Sequence, residues 1–159
     1  MRHGEAGTRS AINSDSERSL TAEGRGEVEK IAKSLRSLKI NIDTIGTSPL
    51  KRSKETAEII AKEFKLTKKM ELWEELSPEG EMNELFERLS RMKEDSTVLI
   101  VGHEPYLSTL IGDLISNRTG TRIVLKKGGT AKVVINSLVP KASGDLRWLL
   151  TPRQIKKIS

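Results

Sequence analysis

The chain has only two histidines, and each lies beside a glycine: Arg2-His3-Gly4 and Gly102-His103-Glu104. Between them runs Ser48-Pro49-Leu50-Lys51-Arg52-Ser53-Lys54-Glu55-Thr56-Ala57, which opens on a turn-forming pair and carries a further arginine. These residue types suit phosphoryl transfer, which demands positioning and charge stabilisation more than covalent ingenuity. A free imidazole, with a pKa of about 6.5, is largely neutral at pH 7 and can serve as a nucleophile. An arginine fork donates paired, charge-assisted hydrogen bonds to phosphoryl oxygens and never deprotonates. Two arginines and a second histidine around one nucleophilic histidine would complete such a site without a metal. Taken singly, the pieces are weak: Arg-His-Gly is a common tripeptide, a histidine after a strand is usually a core or loop residue, and Arg52 could be a surface side chain.

What brings them together is the order of elements. Val28, Ile31, Ala32, Leu35 and Leu38 recur at helical spacing after Thr21, which reads as an N-cap with Glu23 in the first turn. A second helix follows Ser48-Pro49 and turns Ala57, Ile60, Ala61 and Phe64 inward. A third carries Met82, Leu85, Leu89 and Met92; a fourth, from about Pro105, carries Leu107, Leu110, Ile111 and Leu114. Strands fall between them, over residues 42–47 and over residues 97–101, the latter apolar enough to be buried on both faces. Residues 131–139 and 146–150 read as two late strands joined by a hairpin loop over 140–145. Alternating strands and helices, then a hairpin, predict a three-layer α/β/α domain over residues 1–159 with a mixed, mostly parallel central sheet. Ligands of such sheets sit beyond the carboxyl ends of the parallel strands. Ser48 follows the first strand and His103 the second, so both motifs fall on one rim.

Composition narrows the partners. The 28 basic and 22 acidic residues leave a formal charge of +6, interspersed enough for a solvated surface and compatible with an anionic partner. Aromatics are 3% of the chain, too few for a stacking platform, so nucleic acid is not expected. Apolar runs such as 98–101 are far too short to span a bilayer, and the residues after Met1 do not resemble a signal peptide; the cytoplasm is the expected compartment. No cysteine is present, and no His-Glu-x-x-His spacing points to a metal. We expect no cofactor.

Arg2-His3-Gly4, the Ser48 to Ala57 segment and Val101-Gly102-His103-Glu104 together resemble the histidine phosphatase superfamily. The resemblance continues through Arg18, Leu20-Thr21 and Gly24, and through Leu76-Ser77-Pro78-Glu79-Gly80. The compact length, together with the Arg18-to-Thr21 and Ser77-to-Gly80 segments, most resembles its phosphohistidine phosphatases of the SixA type. The resemblance implies that His3 becomes phosphorylated, that Arg2 and Arg52 clamp the phosphoryl oxygens, and that His103 donates to a third. It implies that Gly4 and Gly102 let the backbone approach the phosphate, and that Ser53, Lys54 and Glu55 are ordinary variation. It also implies a phosphohistidine on another protein as substrate and inorganic phosphate as product. A small phosphate ester as substrate, or a non-catalytic phosphate-binding module of the same fold, are the alternatives.

A general acid is not singled out by spacing. Glu81, Glu79 and Glu17 are candidates, and the role stays unassigned, because an imidazole leaving group needs little protonation. Glu104 reads as a residue that adjusts the pocket or caps the following helix. The resemblance implies a short apolar strand before Arg-His-Gly, usually central in the sheet, whereas only Met1 precedes it here. The expectation is about five further apolar residues ahead of Met1.

Overall fold

The apolar stripe after Thr21 winds into helix α1 (Ala22–Ser37), with the Thr21 hydroxyl accepting from the Gly24 N–H as its N-cap. Val28, Ile31 and Leu35 are buried along one face at helical spacing; burying each contributes about 1.5–3 kcal/mol. The computed structural model describes residues 1–8, 14–116, 121 and 123–158. Helix α1 packs with α2 (Lys51–Phe64) and α5 (Pro152–Ile158) around one apolar cluster that includes Ile45, Ile60, Val101 and Ile155. Helices α3 (Met82–Ser90) and α4 (Tyr106–Ile115) form the other layer, with Leu85, Phe86, Leu107 and Leu110 in a second cluster.

Between these layers lie β1 (Thr44–Thr47), β2 (Met70–Leu72) and β3 (Val98–Val101), all parallel, in the order β2-β1-β3. The late hairpin is β4 (Thr130–Ser137) against β5 (Ser143–Leu150), antiparallel. Residues 1–3 stitch the two sheets together. The Gly102 N–H donates to Met1 O at 3.2 Å and the His3 N–H to Gly102 O at 3.0 Å, a parallel bridge to the end of β3. On the other side the Arg2 N–H donates to Gly129 O at 3.0 Å, and the Gly128 N–H to Arg2 O at 3.1 Å. The result is the expected three-layer fold with a mixed, mostly parallel centre.

Four local expectations change. Strand β3 is not buried on both faces: Val101 is, but Val98, Leu99 and Ile100 are half-buried. A groove of about 560 Å³, lined by Ile40, Thr97, Lys132, Trp148, Leu150 and Ile158, opens where β3 and β4 part company. The hairpin turns earlier than its composition suggested, since β5 already begins at Ser143. Met92 lies beyond the end of α3, which is capped by Arg91. Strand β2 and helix α5 were not foreseen. The α5 start is a reciprocal cap: the Thr151 N–H donates to Gln154 Oε1 at 2.9 Å and the Gln154 N–H to Thr151 Oγ1 at 3.3 Å, with Pro152 at the first helical position.

One glycine sets the spacing of the central layer. A Cβ on Gly46 of β1 would lie 2.4 Å from the Trp73 ring, which is buried and spanned by the Arg88 guanidinium at 5.0 Å. Arg88 is held in turn by the buried Glu75 carboxylate.

Candidate active site

The ends of β1 and β3 lie side by side, because the Ser48 N–H continues their ladder to Val101 O at 3.0 Å. His3 and His103 emerge next to each other on that rim, ring centroids 5.1 Å apart and planes tilted by 56°. Arg52 arrives from the first turn of α2, whose inward face also carries Ser53 and Thr56. The four residues expected to form a site, Arg2, His3, Arg52 and His103, all line one polar pocket of about 300 Å³.

His3 is 6% exposed, and its tautomer is fixed from two directions. Nδ1 lies 2.7 Å from Gly4 O, so Nδ1 carries the proton and donates it to that carbonyl. Arg52 Nε, which can only donate, points at His3 Nε2 from 3.2 Å. The lone pair is therefore on Nε2, facing the guanidinium. Burial lowers the His3 pKa to about 4; the bond to Gly4 O opposes the shift, and the Arg52 and Arg2 guanidiniums add to it. His103 is pushed down to about 3, by burial first and then by Arg52 and His3. Both imidazoles are neutral at pH 7.

The remaining groups brace these two. His103 Nε2 lies 2.8 Å from Ser48 Oγ and 3.2 Å from Ser53 Oγ, while its Nδ1 is buried without a hydrogen-bond partner among the described residues. Arg2 Nη1 donates to Leu125 O at 3.0 Å, and its Nε is likewise buried without such a partner. A buried donor in that condition is costly until something accepts from it, and a phosphoryl oxygen would. Thr56 Oγ1 accepts from the Gly4 N–H at 3.1 Å and donates to Arg52 O at 2.7 Å, tying the histidine's loop to the arginine's helix.

Several sequence expectations are revised at this level. Gly4 is a packing glycine: a Cβ there would meet Val28 of α1 at 2.6 Å, and its N–H is already bonded to Thr56, so it does not serve to bring backbone to a phosphate. Gly102 is likewise occupied in the bridge to residues 1–3, its N–H donating to Met1 O and its carbonyl accepting from His3. Ser53 is no neutral variation but a buried hydroxyl on His103, and Glu55 accepts from the Leu20 N–H at 2.8 Å while pairing with Arg25 at 3.0 Å. Glu17, Glu79 and Glu81 do not line the pocket. Glu104 does, and its Oε1 accepts from the Ser108 N–H at 3.2 Å in the first turn of α4, the capping role expected of it. Asp15, Arg18, Pro78 and Lys127 complete the lining, and sequence reasoning assigned none of them a place there. Arg18 lay within a family-like segment; Asp15, three residues earlier, had no such signal. Among the described residues no group of three His, Asp or Glu side chains could hold a metal ion, and no helix is long and apolar enough to cross a membrane.

The imidazole lone pair of His3 lies among cationic donors at the carboxyl rim of a parallel sheet. The model of the histidine phosphatase superfamily (branch 1) matches residues 1–78. A phosphohistidine phosphatase SixA homolog of Haemophilus influenzae is 33% identical over 127 residues, covering 74% of this chain and 76% of that one. Phosphohistidine phosphatase SixA of Escherichia coli is 27% identical over 158 residues, 98% of this chain and 94% of that one. A solved structure of the protein histidine phosphatase SixA complexed with tungstate superposes with a TM-score of 0.83 at 27% identity, covering 96% of this chain and 95% of that one. With relatives matched over 74% or more of its length, this chain belongs to the histidine phosphatase superfamily as a phosphatase of the SixA type.

Proposed function

We propose that the protein removes phosphoryl groups from phosphohistidine on a partner protein, through a phosphorylated His3 and without a metal. The observation that carries this reading is the His3 tautomer: Gly4 O holds the Nδ1 proton and leaves Nε2 with its lone pair toward Arg52. In the first step Nε2 bonds to phosphorus while the P–N bond of the substrate breaks, its electron pair leaving on a substrate ring that carries a proton on its other nitrogen and so departs as neutral imidazole. Gly4 O stabilises the positive charge that His3 acquires, Arg2 and Arg52 neutralise charge on the equatorial oxygens, and neutral His103 donates a hydrogen bond to one of them. In the second step water attacks phosphorus, the P–Nε2 bond breaks with its pair returning to Nε2, and the water's proton departs with inorganic phosphate. Neither step requires a strong acid, because imidazole is a far better leaving group than an alkoxide. That fits a pocket whose lining carboxylates, Asp15 and Glu104, are both engaged with other groups.

The substrate assignment is supported by the likeness to phosphohistidine phosphatases along the chain. It is tested by comparing turnover of a phosphohistidine-bearing protein domain with that of a small aryl phosphate, with and without chelator. We expect faster turnover of the protein substrate, an acid-labile phosphoenzyme in wild type but not in His3→Ala, and no effect of chelator. Faster turnover of the small ester would move the assignment to a small phosphoester, and neither turnover nor phosphoenzyme would leave a phosphate-binding module.

A further inference from the structure

A guanidinium offers five N–H groups in one plane, so which edge meets a phosphoryl group depends on what holds the other edge. Asp15 holds the outer end of Arg52: Nη1 donates to the Asp15 backbone carbonyl at 2.7 Å and Nη2 to its carboxylate Oδ2 at 2.9 Å. Nε is thereby aimed at His3 Nε2. The same carboxylate accepts from Arg18 Nη1 through Oδ1 at 2.8 Å, and Arg18 Nε donates to Gly7 O at 2.7 Å. A polar relay thus starts on the backbone just past the nucleophile's glycine, passes through Arg18, Asp15 and Arg52, and returns to the nucleophile. Asp15 belongs to a short 3-10 turn (Asp15–Glu17), and its side chain keeps 28% of its exposure while that of Arg52 keeps 6%.

We propose that Asp15 is a positioning residue for phosphoryl transfer: it grips the Nη end of Arg52 so that the Nε edge faces His3 and the group His3 receives. The proposal rests on the reading of His3 as nucleophile. A carboxylate that merely imitated bound phosphate would sit on the edge facing His3, and it would not need its own backbone carbonyl on Nη1. Asp15 occupies the other end of the fork with both groups.

The test is Asp15→Asn, which keeps the shape and one acceptor oxygen while losing the charge, made in wild type and in Arg52→Lys. In wild type it should lower kcat about tenfold, the order expected for losing a charge-assisted bond that orients a clamp. KM should not rise, because removing a carboxylate does not weaken a cationic pocket's hold on a phosphoryl group. A merely structural loss would raise KM as kcat fell. In the Arg52→Lys background the same change should cost less than twofold, since the fork it positions is gone. An unchanged kcat, or an equal loss in both backgrounds, would overturn the proposal. An activity-independent readout separates this from failure of the functional reading: the Arg52 Nε–H proton should exchange slowly in wild type and quickly in Asp15→Asn. If wild type neither turns over nor forms a phosphoenzyme, the reading of His3 falls. Asp15 is then judged by that proton alone, and continued slow exchange in the variant would sink it.

Discussion

Strand β3 has a hollow at each end, and the smaller of the two gathers the histidines and arginines. At its carboxyl end the pocket of about 300 Å³ holds both histidines, with His3 bonded to Gly4 O and Arg52, and Arg52 bonded to Asp15. At its amino end the groove of about 560 Å³ is walled by Ile40, Trp148 and Leu150, with Lys132 as one of its two cationic side chains. The pocket is built from crossed, charge-assisted bonds between segments far apart in sequence, whereas the groove is a place where two sheets fail to meet. A change in the pocket should alter rate with little change in stability; a change in the groove should do the reverse.

The largest effect expected is on the nucleophile. His3→Ala should lower turnover by at least about a thousandfold and abolish the phosphoenzyme, as removal of a covalent participant does. His103→Ala should slow both formation and breakdown of the phosphoenzyme while leaving it detectable in a quenched-flow measurement. Near wild-type activity in His3→Ala would break the comparison at its root. Next in size is the clamp: Arg52→Lys keeps the charge but loses the fork, so kcat/KM should fall by about tenfold or more. Its melting temperature should move little by comparison.

Acid should affect both rate and stability, and the signs follow from the histidines. Each is held neutral in the fold, at about 4 for His3 and about 3 for His103, against about 6.5 in the unfolded chain. Between those values the unfolded chain binds more protons, so stability rises with pH. The contribution is fully present above pH ~6.5 and is lost as pH falls from there toward about 4 and then 3. Replacing His103 by Gln should flatten part of that slope in urea denaturation between those pH values. Phosphoenzyme formation should hold level down to about pH 5 and drop as His3 protonates near 4.

The smallest effect belongs to the groove. Five apolar residues added ahead of Met1 should lie along the open edge of β3 and raise the melting temperature by about 5 °C, with activity changed less than the clamp variants change it. A thermal shift of zero would mean that the groove does not accept a strand.

The helices were legible because their apolar residues recur at 3.6-residue spacing over several turns, as at Val28, Ile31 and Leu35. Strand β2 was not, since the three residues of Met70–Leu72 are too few to show a period. Helix α5 is also short, yet Thr151-Pro152-x-Gln154 spells a capping signal that could have been read. In the site, the Ser48–Ala57 and His103 motifs stood out by their place on one rim, while Arg2 and His3, with only Met1 before them, were legible through the family resemblance of all three motifs together. Asp15 did not: its tie to Arg52 spans 37 residues of sequence, and a lone aspartate in a polar stretch has no pattern to betray it. The burial of β3 was misjudged for a related reason, because four apolar residues in a row state what a strand prefers, not whether a neighbour arrives to cover it.

The contact between Gly4 and α1 has a dynamic consequence. A Cβ on Gly24 would lie 2.2 Å from Glu5 O, one on Gly4 would lie 2.6 Å from Val28, and the Thr21 N–H donates to Glu5 O at 3.0 Å. The opening turns of α1 and the segment carrying His3 are therefore pressed together with a glycine on each side of the contact, Gly24 against the Glu5 backbone and Gly4 against the Val28 side chain, and neither can part from its neighbour alone. They should behave as one cooperative opening unit, with amides early in α1 and the His3 amide exchanging through the same event. Heat inactivation would then track the fraying of this single helix and precede loss of the bulk fold.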